Sequence, residues 1–469
     1  MKHTSWPDYG QLVAMVVLAV FGPPALAQES APYQPNILVI ISDDQGVVDS
    51  PEYHYDPNPP HTPNLSALAN EGVIFENAWA TPMCFTTRAA YLTGLHGARN
   101  GVLTGNTPIR LEDQTIYEFL RDNEETGNYA SAFIGKWYVG LDDVNGESYP
   151  VANGVPYFAG VIEGNFGAER SYDRWNLTID SPEMETVRVV STEYNTSKLT
   201  RLAEEWIEEQ DSPWFVTLAY NAPHGPRHWP DESLHGMQER TEKHFTSDMC
   251  GGGGMGAMGA GAAEAGSMGA GGAAGSVDDE ECYNAMVEAM DTEVGNLLLK
   301  LEELGQRDET LIIYSGDNGS SEPTVIEDRQ AKSTLYAGGL HVPFFASGAG
   351  VTRKGVREDR LVTITDIFAT VGEIAGADFD GTIHDSLSFA GFLSSEEGID
   401  RPYAFSDIDR NNTSGWSVRD HEHMLMRLNG EDTLFEINPD NFMYKDVTAS
   451  EPEILRMLQQ AGERINRGD

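Results

Sequence analysis

Lysine is scarce in this chain. Eight of its 30 basic residues are lysines, set against 74 aspartates and glutamates, and the formal net charge is −44. So few cations exclude a nucleic-acid binder, because a phosphate backbone is held by Lys and Arg. Three cysteines in 469 residues exclude a disulfide scaffold. No apolar run reaches the roughly 20 residues that a membrane-crossing helix needs, so the sequence offers no membrane span. What is present is length for a sizeable core, with apolar residues at 40% recurring along most of the chain. An acidic, lysine-poor composition of this kind reads as a surface kept soluble in salt.

Residues 1–27 read as a secretory leader. Lys2 and His3 precede an apolar run at 12–21, and Ala25-Leu26-Ala27 forms a small-residue cleavage site. The expectation is an exported protein, periplasmic or secreted. From Pro35 onward strands and helices alternate. Residues 36–42 (NILVIIS) are a continuous apolar run, the pattern of a strand covered on both faces. Residues 73–75, 130–134, 215–220 and 311–314 read as further buried strands. Residues 62–70, 196–209 and 283–304 carry apolar positions three and four apart, which predicts helices. The alternation predicts an α/β fold, a large mainly parallel sheet flanked by helices, with ligands at the carboxyl ends of its strands. Past residue 395 the texture changes to short alternating runs at 403–406, 416–428 and 433–437, then a last helix at 451–465. That predicts a main domain over 28–394 and a smaller C-terminal α+β subdomain over 395–469. A Gly/Ala/Met-rich stretch at 251–276 reads as a flexible insertion. Cys250 and Cys282 bracket it, either as a disulfide that pins its feet or as two thiols. If they pair, Cys84 is the odd cysteine.

Asp43-Asp44 follows the first strand, and Asp317-Asn318-Gly319 follows the strand at 311–314 in the same way. Adjacent side chains on a strand point apart, so two carboxylates converge only where the strand turns, and Gly46 permits a turn. Three carboxylates and an amide from two strand ends make an all-oxygen donor set suited to Ca²⁺ or Mg²⁺. Cys84-Phe85-Thr86-Thr87-Arg88 opens a short helix that closes at Thr93-Gly94. With Thr86 or Thr87 as N-cap, Cys84 sits just ahead of the positive helix end and Arg88 lies a turn further on. A nucleophile in that field is placed to attack an anionic centre. Lys136 and His224 each follow a buried strand at its carboxyl end, where a core lysine or imidazole is out of place. Lys332 reads equally well as a surface lysine. His61, His96, His228 and His341 read as solvated or structural.

Taken in order, these motifs resemble the formylglycine-dependent sulfatases of the alkaline phosphatase superfamily. The resemblance is carried by Asp43-Asp44-Gln45-Gly46, Thr62-Pro63-Asn64-Leu65 with Glu71-Gly72, and Cys84-x-x-x-Arg88 with Leu92-Thr93-Gly94. It continues through Gly135-Lys136-Trp137, Ala222-Pro223-His224-x-Pro226, Met290-Asp291 and Glu293-Val294-Gly295. Gly316-Asp317-Asn318-Gly319, then Lys332 ahead of Gly338-Gly339 and Val342-Pro343, and residues 434–439 complete it. It implies an alkaline-phosphatase-like sandwich and a sulfuric ester hydrolase acting on a sulfated carbohydrate or an aryl sulfate. It implies one divalent cation, calcium or magnesium, on Asp43, Asp44, Asp317 and Asn318. It also implies that a formylglycine-generating enzyme converts Cys84 to formylglycine, whose hydrate supplies the attacking oxygen. Arg88 would steady that residue, while Lys136, His224 and Lys332 would grip the sulfate oxygens. The chain departs from the family at Thr86 and Thr87, which stand for Pro or Ala and Ser in the segment the maturing enzyme reads. It departs again at Tyr138, where His is usual. Two other readings stand beside this one: a phosphoester or phosphonate hydrolase of the same superfamily, and a non-catalytic binding protein that keeps the fold.

Overall fold

The computed structural model describes residues 34–468 apart from 106, 141–143, 165, 167–170, 212, 238–249, 251–278, 322–330, 411, 439–441 and 443. The leader expected at 1–27 and the insertion expected at 251–276 lie outside the described residues.

Strand β1 (Asn36–Ser42) is buried at every position. Ile37, Val39 and Ile41 enter one apolar core and Leu38 and Ile40 the other, as the alternation of side chains across a sheet requires. A strand apolar on both faces needs cover on both, and helices supply it. Helices Pro63–Asn70, Asn195–Glu208 and Asp279–Glu303 cover the Leu38 face through Leu65, Leu199 and Met290. Helices Cys84–Thr93 and Asp366–Ala375 cover the Ile37 face through Leu92 and Phe368.

Nine further strands share this sheet: β2 (Val73–Trp79), β3 (Ala130–Lys136), β4 (Phe158–Val161), β5 (Trp175–Asp180), β6 (Val187–Ser191), β7 (Trp214–Ala219), β8 (Thr310–Gly316), β9 (Phe344–Gly348) and β10 (Val356–Thr363). Their order is β10-β2-β9-β8-β1-β7-β3-β4-β5-β6. The central run β8-β1-β7-β3-β4 is parallel, while β9 runs antiparallel to both its neighbours. The register sets Ser42 beside Gly316, Ile41 beside Ala219, and Gly135 beside Ala219. Asp43, Asp317, Lys136 and the 220–228 loop therefore leave the sheet at one level. Gly135 is the pinch point: at φ +117, a methyl group there would lie 1.8 Å from the Ala219 carbonyl oxygen. Only glycine brings Lys136 this close to β7.

A short hairpin, β11 (Thr382–Ile383) and β12 (Ser386–Leu387), precedes the C-terminal unit. That unit is a five-stranded antiparallel sheet in chain order: β13 (Ala404–Arg410), β14 (Thr413–Arg419), β15 (His423–Leu428), β16 (Glu431–Ile437) and β17 (Tyr444–Asp446). One face meets helix Pro452–Arg467 through Val418, Leu425 and Leu458. The other sets Ile408 and Met424 against Trp79 and Leu361 of the large sheet. The stretch 416–428, read as one run, divides into β14 and β15 because Asp420 accepts the N–H groups of Glu422 and His423 and closes a turn. Cys250 and Cys282 are joined as a disulfide, and Cys84 is unpaired.

Candidate active site

The turn that gathers the first two carboxylates is made by Asp44, not by Gly46. Asp44 takes the left-handed conformation, φ +68, which short polar side chains tolerate better than most. Gly46 is extended, φ −90, and serves close approach, since a methyl group there would stand 3.0 Å from the Ser320 nitrogen. Oxygens of Asp43 and Asp44 and a ring nitrogen of His224 come within 4.8 Å of one another, as do Asp43, Asp317 and Cys84 Sγ. The Asp44 backbone is held at both ends. Its N–H donates to Asp317 Oδ1 at 3.0 Å, and its carbonyl accepts the Tyr283 hydroxyl at 2.9 Å.

From β8, Asn318 Nδ2 donates to Asp44 Oδ1 at 2.8 Å. Arg88, fully buried, donates to Asp317 Oδ2 at 2.9 Å and to the Lys136 carbonyl at 2.6 Å, and lies 3.6 Å from Asp43 Oδ2. Lys136 pairs with Asp43 and Lys332 with Asp44 in close ammonium–carboxylate contacts. Lys332 Nζ also stands 3.8 Å from Cys84 Sγ. His224 Nε2 lies 3.9 Å from Asp44 Oδ2, and its Nδ1 is 2.7 Å from the Gly225 carbonyl. All nine residues singled out from the sequence thus meet in one cluster, including Lys332, which is 12% exposed and no surface lysine.

The helix that carries Cys84 starts at Cys84 itself, with Met83 as its N-cap, so neither threonine caps it. Their hydroxyls are spoken for: Thr86 donates to the Met83 carbonyl at 2.8 Å, and Thr87 accepts the Thr81 N–H at 3.1 Å. Cys84 therefore lies in the first turn, where the unpaired N–H groups concentrate positive potential. Tyr138 sets its ring 5.0 Å from Lys136 Nζ and edge-on to Phe85, so the aromatic face attends the ammonium.

Burial pushes the Cys84 thiol up, against the pull of Lys136 and Lys332. Protonated, it is a poor nucleophile. Burial works against the charge on the two lysines, yet Asp43 and Asp44 hold Lys136 and Lys332 above the ordinary lysine range. Burial and the neighbouring Asp43 charge push Asp317 up to about 7. Burial and the charge of Lys136 bring His224 down to about 4.

Three acidic side chains thus face Arg88, Lys136 and Lys332, as many acids as cations. Two buried oxygens, Asp43 Oδ1 and Asn318 Oδ1, accept no hydrogen bond among the described residues. A buried acceptor without a donor is costly and calls for a partner. With Asp44 and Asp317 these atoms form an oxygen-only donor set that fits a hard divalent cation.

Two supporting residues gave no signal of spacing or charge. Tyr283 holds the Asp44 carbonyl and also reaches Asp49 Oδ2 at 2.8 Å; its one sequence cue is its place next to Cys282. The Tyr172 hydroxyl lies 2.8 Å from the Asn221 carbonyl and 2.7 Å from that of His224, and so fixes the loop that carries His224.

The sulfatase family model matches residues 35–377. Arylsulfatase J of Mus musculus is 25% identical over 381 residues, covering 76% of this chain and 55% of that protein. N-acetylgalactosamine-6-sulfatase of Homo sapiens is 26% identical over 379 residues, covering 75% of this chain and 64% of that protein. The chain thus spans between a little over half and nearly two thirds of the length of these relatives. The solved structure of BT4656 in complex with its substrate D-glucosamine-2-N,6-O-disulfate has the same fold. It matches with a TM-score of 0.72 at 16% identity, covering 93% of this chain and 98% of that one.

Proposed function

The chain belongs to the sulfatase family of the alkaline phosphatase superfamily, and on that premise we propose that it is an exported hydrolase that releases sulfate from a sulfate ester, a sulfated carbohydrate before an aryl sulfate. The observation that carries this reading is the place of Cys84: its Sγ lies in the first turn of a buried helix, 3.8 Å from Lys332 Nζ and beside Asp43 and Asp317. Converted to formylglycine, this side chain would supply a hydrate oxygen for attack on sulfur. A divalent cation, calcium or magnesium, held by Asp43, Asp44, Asp317 and Asn318 would bring two positive charges to a cage with as many acids as cations.

The chain's own residues then divide the work. Arg88 ties Asp317 to the Lys136 carbonyl and so fixes two strand ends against each other. Lys136 and Lys332 stay ammonium and meet the sulfate oxygens, where fixed cations stabilise growing charge without reorganisation. His224 donates Nδ1–H to the Gly225 carbonyl, which leaves Nε2 toward the site. An anionic ester beside the ring draws a proton to Nε2, the atom placed to pass it to the departing alcohol oxygen. Burial holds the Tyr138 hydroxyl above the ordinary tyrosine range, so it donates a hydrogen bond and shuttles no proton.

Support for a sugar ester comes from the names of the N-acetylgalactosamine-6-sulfatase and of the BT4656 complex. Support for export, to the periplasm or beyond, comes from the Cys250–Cys282 disulfide and the leader-like 1–27 segment. A formylglycine-generating enzyme is the partner this chemistry requires. The test is mass spectrometry of the peptide around Cys84 from protein matured in its own host, together with sulfate and phosphate release from matched sugar esters. An aldehyde at Cys84 and preferential sulfate release are expected. An intact thiol sinks the formylglycine step, faster phosphate release makes the protein a phosphoester hydrolase, and release of neither makes it a binding protein.

A further inference from the structure

Arg410 ends β13 where the chain turns back into β14. Its Nη1 lies 2.9 Å from Met83 Sδ and 3.3 Å from Ser333 Oγ. Met83 immediately precedes Cys84, and Ser333 immediately follows Lys332. The guanidinium therefore stands at the rim of the site, against the neighbours of the nucleophile and of a sulfate-gripping lysine. Ser333, at φ +74, is held to the same place by its N–H, which donates to the Pro82 carbonyl at 2.9 Å.

Among the described residues Arg410 lacks the carboxylate partner that many arginines of this molecule have. Carboxylates outnumber cations 74 to 30, and several arginines have claimed theirs. Arg401 clasps Asp366, and Arg427 sits between Asp432 and Glu463. Among the described residues no carboxylate pairs with Arg410. Its acceptors among the described residues are one hydroxyl and one thioether, the second a weak acceptor. A half-buried guanidinium, with most of its five donors uncommitted among the described residues, thus stands beside the neighbours of Cys84 and Lys332. Lys136 and Lys332 are committed to the cage, so another anion on the substrate needs another cation.

We propose that Arg410 receives a second oxyanion of the substrate, a sulfate or a carboxylate carried beyond the scissile ester. The guanidinium fork suits such a group, which it can hold through two parallel N–H bonds. This rests on the sulfatase reading above and narrows its substrate to a polyanionic carbohydrate, rather than a neutral sugar monosulfate or an aryl sulfate.

The experiment compares wild type, Arg410→Gln and Arg410→Lys, each with Cys84 converted, on four esters. Two carry the scissile sulfate alone: 4-nitrophenyl sulfate and an N-acetylhexosamine monosulfate. The others add a second sulfate on the same sugar or a uronic acid carboxylate on the next. Arg410→Gln is expected to lower kcat/KM on one or both two-anion esters by about 10- to 100-fold, mostly through KM, with Arg410→Lys between. The arm that falls identifies the second anion. The one-anion esters are expected to change by no more than about twofold. Equal loss on all four esters, or loss on none, overturns the assignment while leaving the sulfatase reading intact. Sulfate release from none of them by wild type overturns both. Titration calorimetry of the disulfated and uronate-bearing sugars on Cys84→Ala protein reads the same contrast without turnover, and unchanged affinity for both in a Cys84→Ala/Arg410→Gln double variant also overturns the proposal.

Discussion

Two ion clusters in this protein are both built around aspartates and arginine and differ in how their oxygens are used. In one, Asp366 accepts the Thr363 and Leu387 N–H groups at 2.8 Å each, and Arg401 Nε at 2.9 Å. Beside it Asp385 accepts the His96 N–H at 2.9 Å and pairs with Arg99, and its carbonyl takes an Arg401 proton at 2.8 Å. Both Asp366 oxygens are filled by backbone and guanidinium. In the other cluster Asp43 Oδ1 and Asn318 Oδ1 accept nothing among the described residues, and two of the three cations are lysines. A carboxylate saturated by N–H donors is a strut between chain segments. One with an open oxygen, met in part by ammonium groups, has capacity left for a ligand. Both clusters hold aspartates and arginine; hydrogen-bond satisfaction marks the one with room for a ligand.

The sharpest break of this contrast is chemical. Cys84→Ala is expected to lower sulfate release at least about 1000-fold while the melting midpoint hardly moves. Asp366→Ala should do the reverse. It strands Arg401 and is expected to remove about 3–5 kcal/mol in a urea titration, with kcat per folded molecule kept. A fall in kcat matching the loss of stability would erase the distinction between strut and site.

A smaller effect tests the scaffold alone. Burial lowers His96 to about 4 and His341 to about 3, from an ordinary 6.5. Between pH 6.5 and these values the unfolded chain takes up protons that the folded one refuses. Stability present at pH 7 is therefore lost as the pH falls through that window, by about 1.4 kcal/mol per ring per pH unit. Urea midpoints at pH 7 and pH 5 check the slope, and His341→Phe should flatten it. The smallest effect concerns the hold on Asp44. Tyr283→Phe is expected to weaken divalent-cation binding by about tenfold in a calorimetric titration, with little change in urea stability. Unchanged affinity would mean that the Asp317 contact alone keeps the left-handed turn.

Much of this architecture was legible before any coordinates. The NILVIIS run announces a central strand because apolar residues on both faces have no other reading. The acidic pairs after β1 and β8 announce a shared strand-end site for the same topological reason. What escaped depended on tertiary partners. The threonines after Cys84 have the chemistry of N-caps, but Thr81 and the Met83 carbonyl engage their hydroxyls first. Lys332 could have faced water; only the fold brings it to Asp44. The turn near Gly46 was expected from glycine's latitude, yet Asp44 makes it, held by Asp317 and Tyr283 from segments more than 200 residues away. No local pattern encodes such a grip.

The bond between Cys250 and Cys282 has a consequence for chain continuity. Asp43, Asp44, Cys84, Arg88, Lys136 and His224 precede it, whereas Asp317, Asn318, Lys332 and Arg410 follow it, and the two cysteines are 32 positions apart. The halves of the site are tied to each other through sulfur as well as through the intervening peptide bonds. A protease that cuts between the cysteines leaves a single covalent molecule with every one of these groups aboard, and only a reductant parts the pieces. Sequence between the bridged positions is thereby released from the task of keeping the two halves together, and its length and make-up are open to change without severing the molecule.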